Sequence, residues 1–165
     1  MRFYGLALLA GAAVLGACGG GGEQKAADTT AKAAPPAAAP APAPTSTVPK
    51  VAATGATHEV KMVGDDKGYR FEPADITIKT GDAIKFVMVT GGPHNVAFDA
   101  ETMPADVKAQ LDANMDQKIG ELSSPMLMNP NEAYVVSFGG VKPGKYTFHC
   151  TPHLAMNMKG SVTVQ

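Results

Sequence analysis

Side chains that can do chemistry are concentrated in the stretch FHCTPHLAMNMKG near the C-terminus, residues 148–160. In chain order, its potential ligands are His149, Cys150, His153, Met156 and Met158. A further histidine, His94, follows Gly-Gly-Pro in the block GGPHNVAFD. A thiol, imidazoles and thioethers at this density indicate a site for a soft metal ion.

Strand geometry limits which of these donors can meet. Neighbouring side chains on a strand point to opposite faces, so His149 and Cys150 should not bind the same ion, and we expect His149 to face outward. Thr151-Pro152 opens a tight loop that can return His153 towards Cys150, and His94 lies beside a turn at the start of another strand. Two imidazoles, a thiolate and a methionine thioether are the ligands of a trigonal copper centre with a weak axial ligand.

Each of these residues also has a simpler explanation when taken alone. A buried cysteine is usually a small hydrophobic residue, and a histidine beside a turn is usually on the surface. Zinc is the main competing metal because it also binds thiolate and imidazole, whereas the thioether favours copper. Either Met156 or Met158 could supply the thioether ligand. His58 has no other potential ligands near it in the sequence.

The composition excludes several classes of function. The chain has 165 residues, of which 18% are charged, and a net charge of −1, so it offers no basic surface for nucleic acid. From Glu59 onward there are 13 acidic and 10 basic side chains, a net charge of −3, which predicts only modest electrostatic steering. The sequence contains no phosphate-binding glycine loop, Gly-x-Ser-x-Gly elbow or paired-carboxylate signature. We therefore expect that the protein is not an enzyme.

The N-terminal region predicts export and lipid anchoring. Arg2 precedes an apolar run, Leu6 to Leu15, which is too short to span a membrane but suits a signal peptide. The run leads into Leu-Gly-Ala-Cys, which resembles a bacterial lipoprotein motif. We therefore predict a lipoprotein signal peptide over residues 1–17 and lipidation of Cys18; the alternative is an ordinary secretory signal with a chance cysteine. Residues 18–57 predict an Ala/Pro-rich disordered linker. The expected location is the periplasmic or extracytoplasmic face of a bacterial cell envelope, with membrane contact through the lipid anchor only.

Residues 58–165 predict an all-β domain. Short runs with a period of two alternate with turn residues: HEVKMV, ADITIKTGD, IKFVMVTGG, HNVAFD, AYVVSFGG, GKYTFHC and GSVTVQ. Strands at this spacing favour an antiparallel Greek-key β-sandwich. Residues 104–119 depart from the pattern and predict one short amphipathic helix that begins near Pro104. Its apolar stripe would consist of Val107, Leu111, Met115 and Ile119.

Three blocks, GGPHNVAFD, GKYTFHCTPH and MKGSVTV, make residues 58–165 resemble the plastocyanin and azurin family of cupredoxins. The resemblance implies a cupredoxin-like sandwich that binds one type 1 copper ion. The implied equatorial ligands are His94, Cys150 and His153. Met158 is favoured as the axial ligand because Met-Lys-Gly-Ser-Val matches the family's entry into the last strand, with Met156 as the alternative. Asn95 resembles the family asparagine that braces the ligand loops.

The resemblance also implies a function and its partners. The protein would shuttle single electrons through Cu(I)/Cu(II), as a monomer, between extracytoplasmic redox partners: a quinol-oxidising complex, a c-type cytochrome, a terminal oxidase or a photosynthetic reaction centre. We expect His153 to be the exposed edge for electron transfer. The apolar docking rim around it would be Pro152, Leu154, Ala155 and Met156. The alternative is a copper-binding or delivery protein with extra exposed methionines, for which the candidates are Met103, Met126, Met128 and Met156.

Overall fold

A computed structural model describes residues 48–165 of the protein. They form two four-stranded sheets and one short α-helix, which confirms the predicted β-sandwich class. The strands are β1 (Thr57–Asp65), β2 (Gly68–Glu72), β3 (Asp75–Ile78), β4 (Ala83–Met88), β5 (Ala97–Phe98), β6 (Ala133–Ser137), β7 (Gly144–His149) and β8 (Lys159–Val164). The helices are α1 (Ala105–Asn114) and two 3-10 helices, Ala100–Thr102 and Thr151–Met156.

The sheets have the strand orders β2-β1-β4-β6 and β3-β8-β7-β5. Four strand pairs are antiparallel, but β1 pairs with β4 and β3 pairs with β8 in parallel. A wholly antiparallel sandwich was therefore the wrong expectation. The reason is that alternation along a strand records which side chains are buried, and this is the same for either direction of the neighbouring strand.

The second strand, β2, was not predicted. Its sequence, GYRFE, pairs antiparallel with β1 across the turn that joins Asp65 to Gly68. Arg70 forms ion pairs with Asp65 and Glu72, so charged side chains occupy the outer face of this short hairpin. Because only Phe71 of the strand is fully buried, its hydrophobic alternation is weak.

A cluster of phenylalanines fixes the position of β7 within the sandwich. Phe148 is fully buried, and its ring lies edge-on against those of Phe71, Phe86 and Phe98, with centroids 4.9, 5.3 and 5.7 Å away. Such edge-to-face contacts add to the stabilisation from burial. Cys150, two residues further on, is buried as well, as the period of a strand requires.

Helix α1 is shorter than the segment 104–119 predicted for it. Pro104 precedes the first helical residue, and the chain leaves the helical conformation at Met115. The residues that are buried as predicted are Val107, Leu111 and Met115. Ile119 is 59% exposed, so its predicted place in the apolar stripe was wrong. No helix among residues 48–165 is long and apolar enough to cross a membrane.

Residues 49–56, here called the entry segment, are attached to the domain by hydrogen bonds. The backbone N–H of Val51 donates to Asn114 Oδ1 at 2.9 Å. Further along, the N–H of Gly55 donates to the carbonyl of Gly81 at 2.8 Å. The last residues assigned to the linker are thus hydrogen-bonded to the domain, and the boundary at residue 58 stays a prediction.

Candidate metal centre

One end of the sandwich brings the predicted donors together. Cys150 follows directly after β7, and His153 lies in the 3-10 helix that comes next. His94 reaches the same place from the segment between β4 and β5. Its backbone is held by a bridge to Leu127, with N–H···O distances of 3.1 and 2.8 Å.

The ligand atoms of these three residues converge in the interior. Cys150 Sγ lies 3.5 Å from His94 Nδ1 and 3.4 Å from His153 Nδ1. All three ligand atoms lie within 4.8 Å of one another, and all three residues are buried. This is the arrangement that a metal ion with one sulfur and two nitrogen ligands requires.

The hydrogen bond of the His94 ring fixes its tautomer. Its Nε2 lies 2.8 Å from the backbone carbonyl oxygen of Thr90. A carbonyl oxygen can only accept, so Nε2 carries the proton and donates it. The lone pair of Nδ1 is then directed towards Cys150. Metal-binding histidines are commonly oriented by such a bond from the other ring nitrogen.

Burial disfavours charge on each of the three donors. It raises the pKa of the Cys150 thiol, an effect that the backbone N–H groups of Asn95 and His153 oppose. It lowers the pKa of His94, and it lowers the pKa of His153 together with the repulsion of His94. The imidazoles are therefore held neutral, which is the form that binds metals. The thiol must release its proton when a cation binds.

The donor set fits one copper ion. Sulfur and nitrogen ligands at about 2.3 and 2.0 Å from a common ion lie roughly 3.6 Å apart, and the spacings of 3.5 and 3.4 Å are close to that value. A thiolate with two imidazoles in a buried site is typical of copper redox centres. The residues present can therefore hold the ion with little movement.

The two candidate thioethers lie in different surroundings. Met158, directly before β8, is fully buried, whereas Met156 is 54% exposed. The backbone N–H of Met158 donates to the carbonyl of His153 at 3.2 Å, and its carbonyl accepts from the N–H of Cys150 at 3.1 Å. Met158 is thus bonded through its backbone to both donors of this loop.

The side chain of Asn95 bonds across from the His94 loop to the loop after Cys150. Its Oδ1 accepts the N–H of Thr151 at 2.7 Å. Its Nδ2 lies 3.2 Å from both Thr151 Oγ1 and Ser123 Oγ, to which it donates. The residue is fully buried, so these bonds fix the position of the His94 loop against the loop after Cys150.

His153 is less accessible than predicted. Only 6% of it is exposed, so the expectation that it forms an exposed edge was wrong. The reason is Tyr69 on β2, whose ring stacks on the imidazole with centroids 3.8 Å apart and planes at 13°. The four residues predicted to form the rim are all exposed: Pro152, Leu154, Ala155 and Met156.

The other two histidines lie outside the cluster. His149 is on the opposite face of β7 from Cys150, as strand parity predicted, and its Nδ1 lies 2.7 Å from Asp99 Oδ1. His58 contacts Asp82, with Nε2 2.8 Å from Oδ2. Neither imidazole takes part in the donor set.

Two residues that contact the histidines of the site were not predicted from the sequence. Tyr69 was overlooked because β2 was not predicted, and an aromatic residue in GYRFE was the only available signal. Thr90 acts through its backbone carbonyl, which leaves no trace in residue type. Both contacts depend on how distant parts of the chain pack.

Comparisons with known proteins agree with this geometry. A family model described as copper binding proteins, plastocyanin/azurin family, matches residues 58–165. The chloroplastic plastocyanin of Physcomitrium patens is 42% identical over 105 residues, which cover 64% of this chain and 56% of that protein. The plastocyanin of Rumex obtusifolius is 37% identical over 107 residues, covering 65% of this chain and 99% of that protein.

A solved structure extends the likeness to the fold. The oxidised plastocyanin from Dryopteris crassirhizoma superposes with a TM-score of 0.53 at 34% identity, covering 66% of this chain and all of that one. The family match includes every residue of the buried donor cluster. This chain therefore belongs to the plastocyanin/azurin family of copper-binding proteins.

Proposed function

We propose that this protein is an electron carrier that holds one type 1 copper ion and exchanges single electrons with other redox proteins. The observation that carries the proposal is the buried cluster of one thiol and two imidazoles, with Sγ–Nδ1 distances of 3.5 and 3.4 Å. Copper bound there would cycle between Cu(I) and Cu(II), since thiolate favours the reduced ion and imidazole accommodates both. His94, Cys150 and His153 are the proposed equatorial ligands.

The chain's own contacts suit rapid electron exchange because they hold the donors in place. The His94 ring is fixed by the Thr90 carbonyl, and Asn95 connects its loop to the one after Cys150. The bonds of the Met158 backbone close that second loop. Donors that keep their positions in both charge states reduce the rearrangement accompanying each transfer.

Met158 is the proposed axial ligand. Full burial keeps its thioether from water, and its backbone bonds place it at the base of the donor loop. Met156 is more than half exposed and is better suited to the surface.

Docking would occur on the apolar rim that surrounds the loop of His153. Its four residues are exposed, with Leu154 at 40% and Met156 at 54%. A small apolar contact with little charge favours brief association. We propose that the protein acts as a monomer, and that its partners are of the class of quinol-oxidising complexes, c-type cytochromes, terminal oxidases or photosynthetic reaction centres.

We further propose an extracytoplasmic location with a lipid anchor on Cys18, which lies outside the described residues, as do the signal peptide and most of the predicted linker. Support comes from the sequence motif alone. Radiolabelled fatty acid fed to a bacterial expression host should label the wild-type protein and leave Cys18→Ser unlabelled and in the soluble fraction. Equal labelling of both would overturn the anchor.

The electron-carrier proposal is tested by adding Cu(II) to the purified full-length Cys18→Ser variant, in which Cys150 is the one remaining cysteine. Intense visible absorption from thiolate-to-copper charge transfer and a type 1 EPR spectrum are expected, and both should disappear reversibly with a reductant. Cys150→Ser in the same background is the control and should stay colourless. A colourless wild-type site that prefers zinc would overturn the proposal.

The copper-delivery alternative makes a different prediction in the same material. It needs exposed methionines, and of its candidates Met128 and Met156 are 60% and 54% exposed, whereas Met103 is packed in the core. If delivery were the role, replacing Met128 and Met156 by leucine would slow copper transfer to a chelator. An electron carrier should show no such change.

A further inference from the structure

Tyr69 contacts both the backbone of β1 and the proposed ligand His153. One face of its ring stacks on His153, with centroids 3.8 Å apart. The ring also lies against Gly64 of β1, where an added Cβ would come within 2.6 and 2.8 Å of two Tyr69 ring carbons. The ring therefore fits only because Gly64 has no side chain.

Gly64 is in direct contact with a second glycine, Gly91. These two residues are here called the glycine floor. A Cβ on Gly91 would lie 2.5 Å from Gly64 Cα, and its φ of +74° is a conformation that side chains disfavour. The N–H of Gly64 donates to the Thr90 carbonyl at 2.9 Å, the same oxygen that accepts from His94 Nε2. The floor is thus connected to His94 through the Thr90 carbonyl that both bond, and to His153 through Tyr69.

We propose that Tyr69 is a positioning residue, held against the glycine floor so that its ring fixes the plane of the His153 imidazole. The effect of this stacking on copper binding rests on the proposed function, whereas the effect of Tyr69 on the orientation of His153 exists in the metal-free protein as well. A stacked aromatic pair changes an equilibrium by a factor of roughly two to ten. Without the ring, the ratio of His153 conformers that turn away from Cys150 to the conformer that faces it rises by up to that factor, and copper affinity falls by at most the same factor.

The first test uses the metal-free Cys18→Ser protein and proton NMR at one fixed pH. A ring stacked face to face shifts the His153 carbon-bound protons upfield. Tyr69→Phe should keep this shift because it keeps the ring, and Tyr69→Leu should abolish it. Gly64→Ala should reduce it, because the new Cβ displaces the ring. Gly120→Ala, where an added Cβ would make only an ordinary contact with Ser123 Cβ at 3.9 Å, is the matched control and should change nothing.

The second test loads the same variants with copper. Tyr69→Leu should weaken copper binding measurably, by at most about tenfold, and raise the reduction potential, because a freer His153 dissociates more easily from Cu(I). Tyr69→Phe should match the parent in both. Adding Gly64→Ala to Tyr69→Leu should have a smaller effect than Gly64→Ala alone, because the clash with the ring is gone and only the contact of the new Cβ with Gly91 Cα at 2.9 Å remains.

The outcomes separate this inference from the proposed function. Unchanged His153 resonances in Tyr69→Leu, or identical losses in Tyr69→Phe and Tyr69→Leu, would overturn the positioning role. A protein that gives no type 1 copper spectrum would overturn the electron-carrier proposal and leave the NMR result standing. Dispersed amide resonances in each variant establish that it is folded.

Discussion

Replacing Asn95 by alanine should destabilise the protein even with no metal bound. The side chain is fully buried and makes three hydrogen bonds, one at 2.7 Å and two at 3.2 Å. Each such bond contributes about 1 kcal/mol net, so the loss is about 3 kcal/mol if nothing replaces them. Thr151 is exposed and water can reach part of the gap, which lowers the expected loss to about 2–3 kcal/mol.

The assay is urea unfolding of the metal-free Cys18→Ser protein, followed by circular dichroism. Ser123→Ala removes one of the three partners and should cost about 1 kcal/mol. Asn129→Ala is the matched control, since that amide bonds Glu132 on the surface and should cost less than about 1 kcal/mol.

A double variant makes the test sharper. Because Asn95 and Ser123 share a bond, the combined loss in Asn95→Ala/Ser123→Ala should be smaller than the sum of the single losses. Additive losses would refute the bond between Asn95 and Ser123. An Asn95→Ala effect no larger than that of Asn129→Ala would refute the idea that this amide braces the two loops through Thr151.

Three further predictions concern other parts of the domain. Burial raises the pKa of Tyr134 to about 12, so the folded protein keeps a proton that the unfolded chain loses near pH 10. Stability should therefore fall by up to roughly 2.7 kcal/mol as the pH rises from about 10 to 12, and Tyr134→Phe should flatten that part of an alkaline unfolding curve. In the copper-loaded protein, Met158→Leu should raise the reduction potential measured by voltammetry and Met156→Leu should leave it nearly unchanged; the reverse result would make Met156 the axial ligand. Asn114→Ala should lower the free energy of unfolding in urea by about 3–4 kcal/mol, because this amide makes four hydrogen bonds; a loss below about 1 kcal/mol would contradict that accounting.

The sequence was most informative where residue type and local spacing decide the outcome. Cys150 and His153 are three positions apart, so a short turn after a strand brings them together, and strand parity alone placed His149 on the other face. The burial of Val107 and Leu111 likewise follows from helical periodicity.

Contacts between distant segments could not be predicted in this way. The burial of His153 depends on Tyr69, which comes from a strand that the weak alternation of GYRFE concealed. The end of α1 near Asn114 depends on that side chain donating to the carbonyls of Ser137 and Gly139. Parallel pairing of strands could not be predicted from the sequence either, because it changes the direction of the neighbouring strand and not which face is apolar.

The entry segment is attached at the end of the sandwich that lies opposite the donor cluster. Gly81 and Asp82, to which it bonds, precede β4, whereas Thr90, which orients His94, follows the same strand. The six residues of β4 rise about 17 Å. The chain therefore joins the domain at one end of the sandwich, while the donors lie at the other. A label attached at Pro49 itself therefore starts from the end of the sandwich opposite the donors, and it leaves the donor end uncovered.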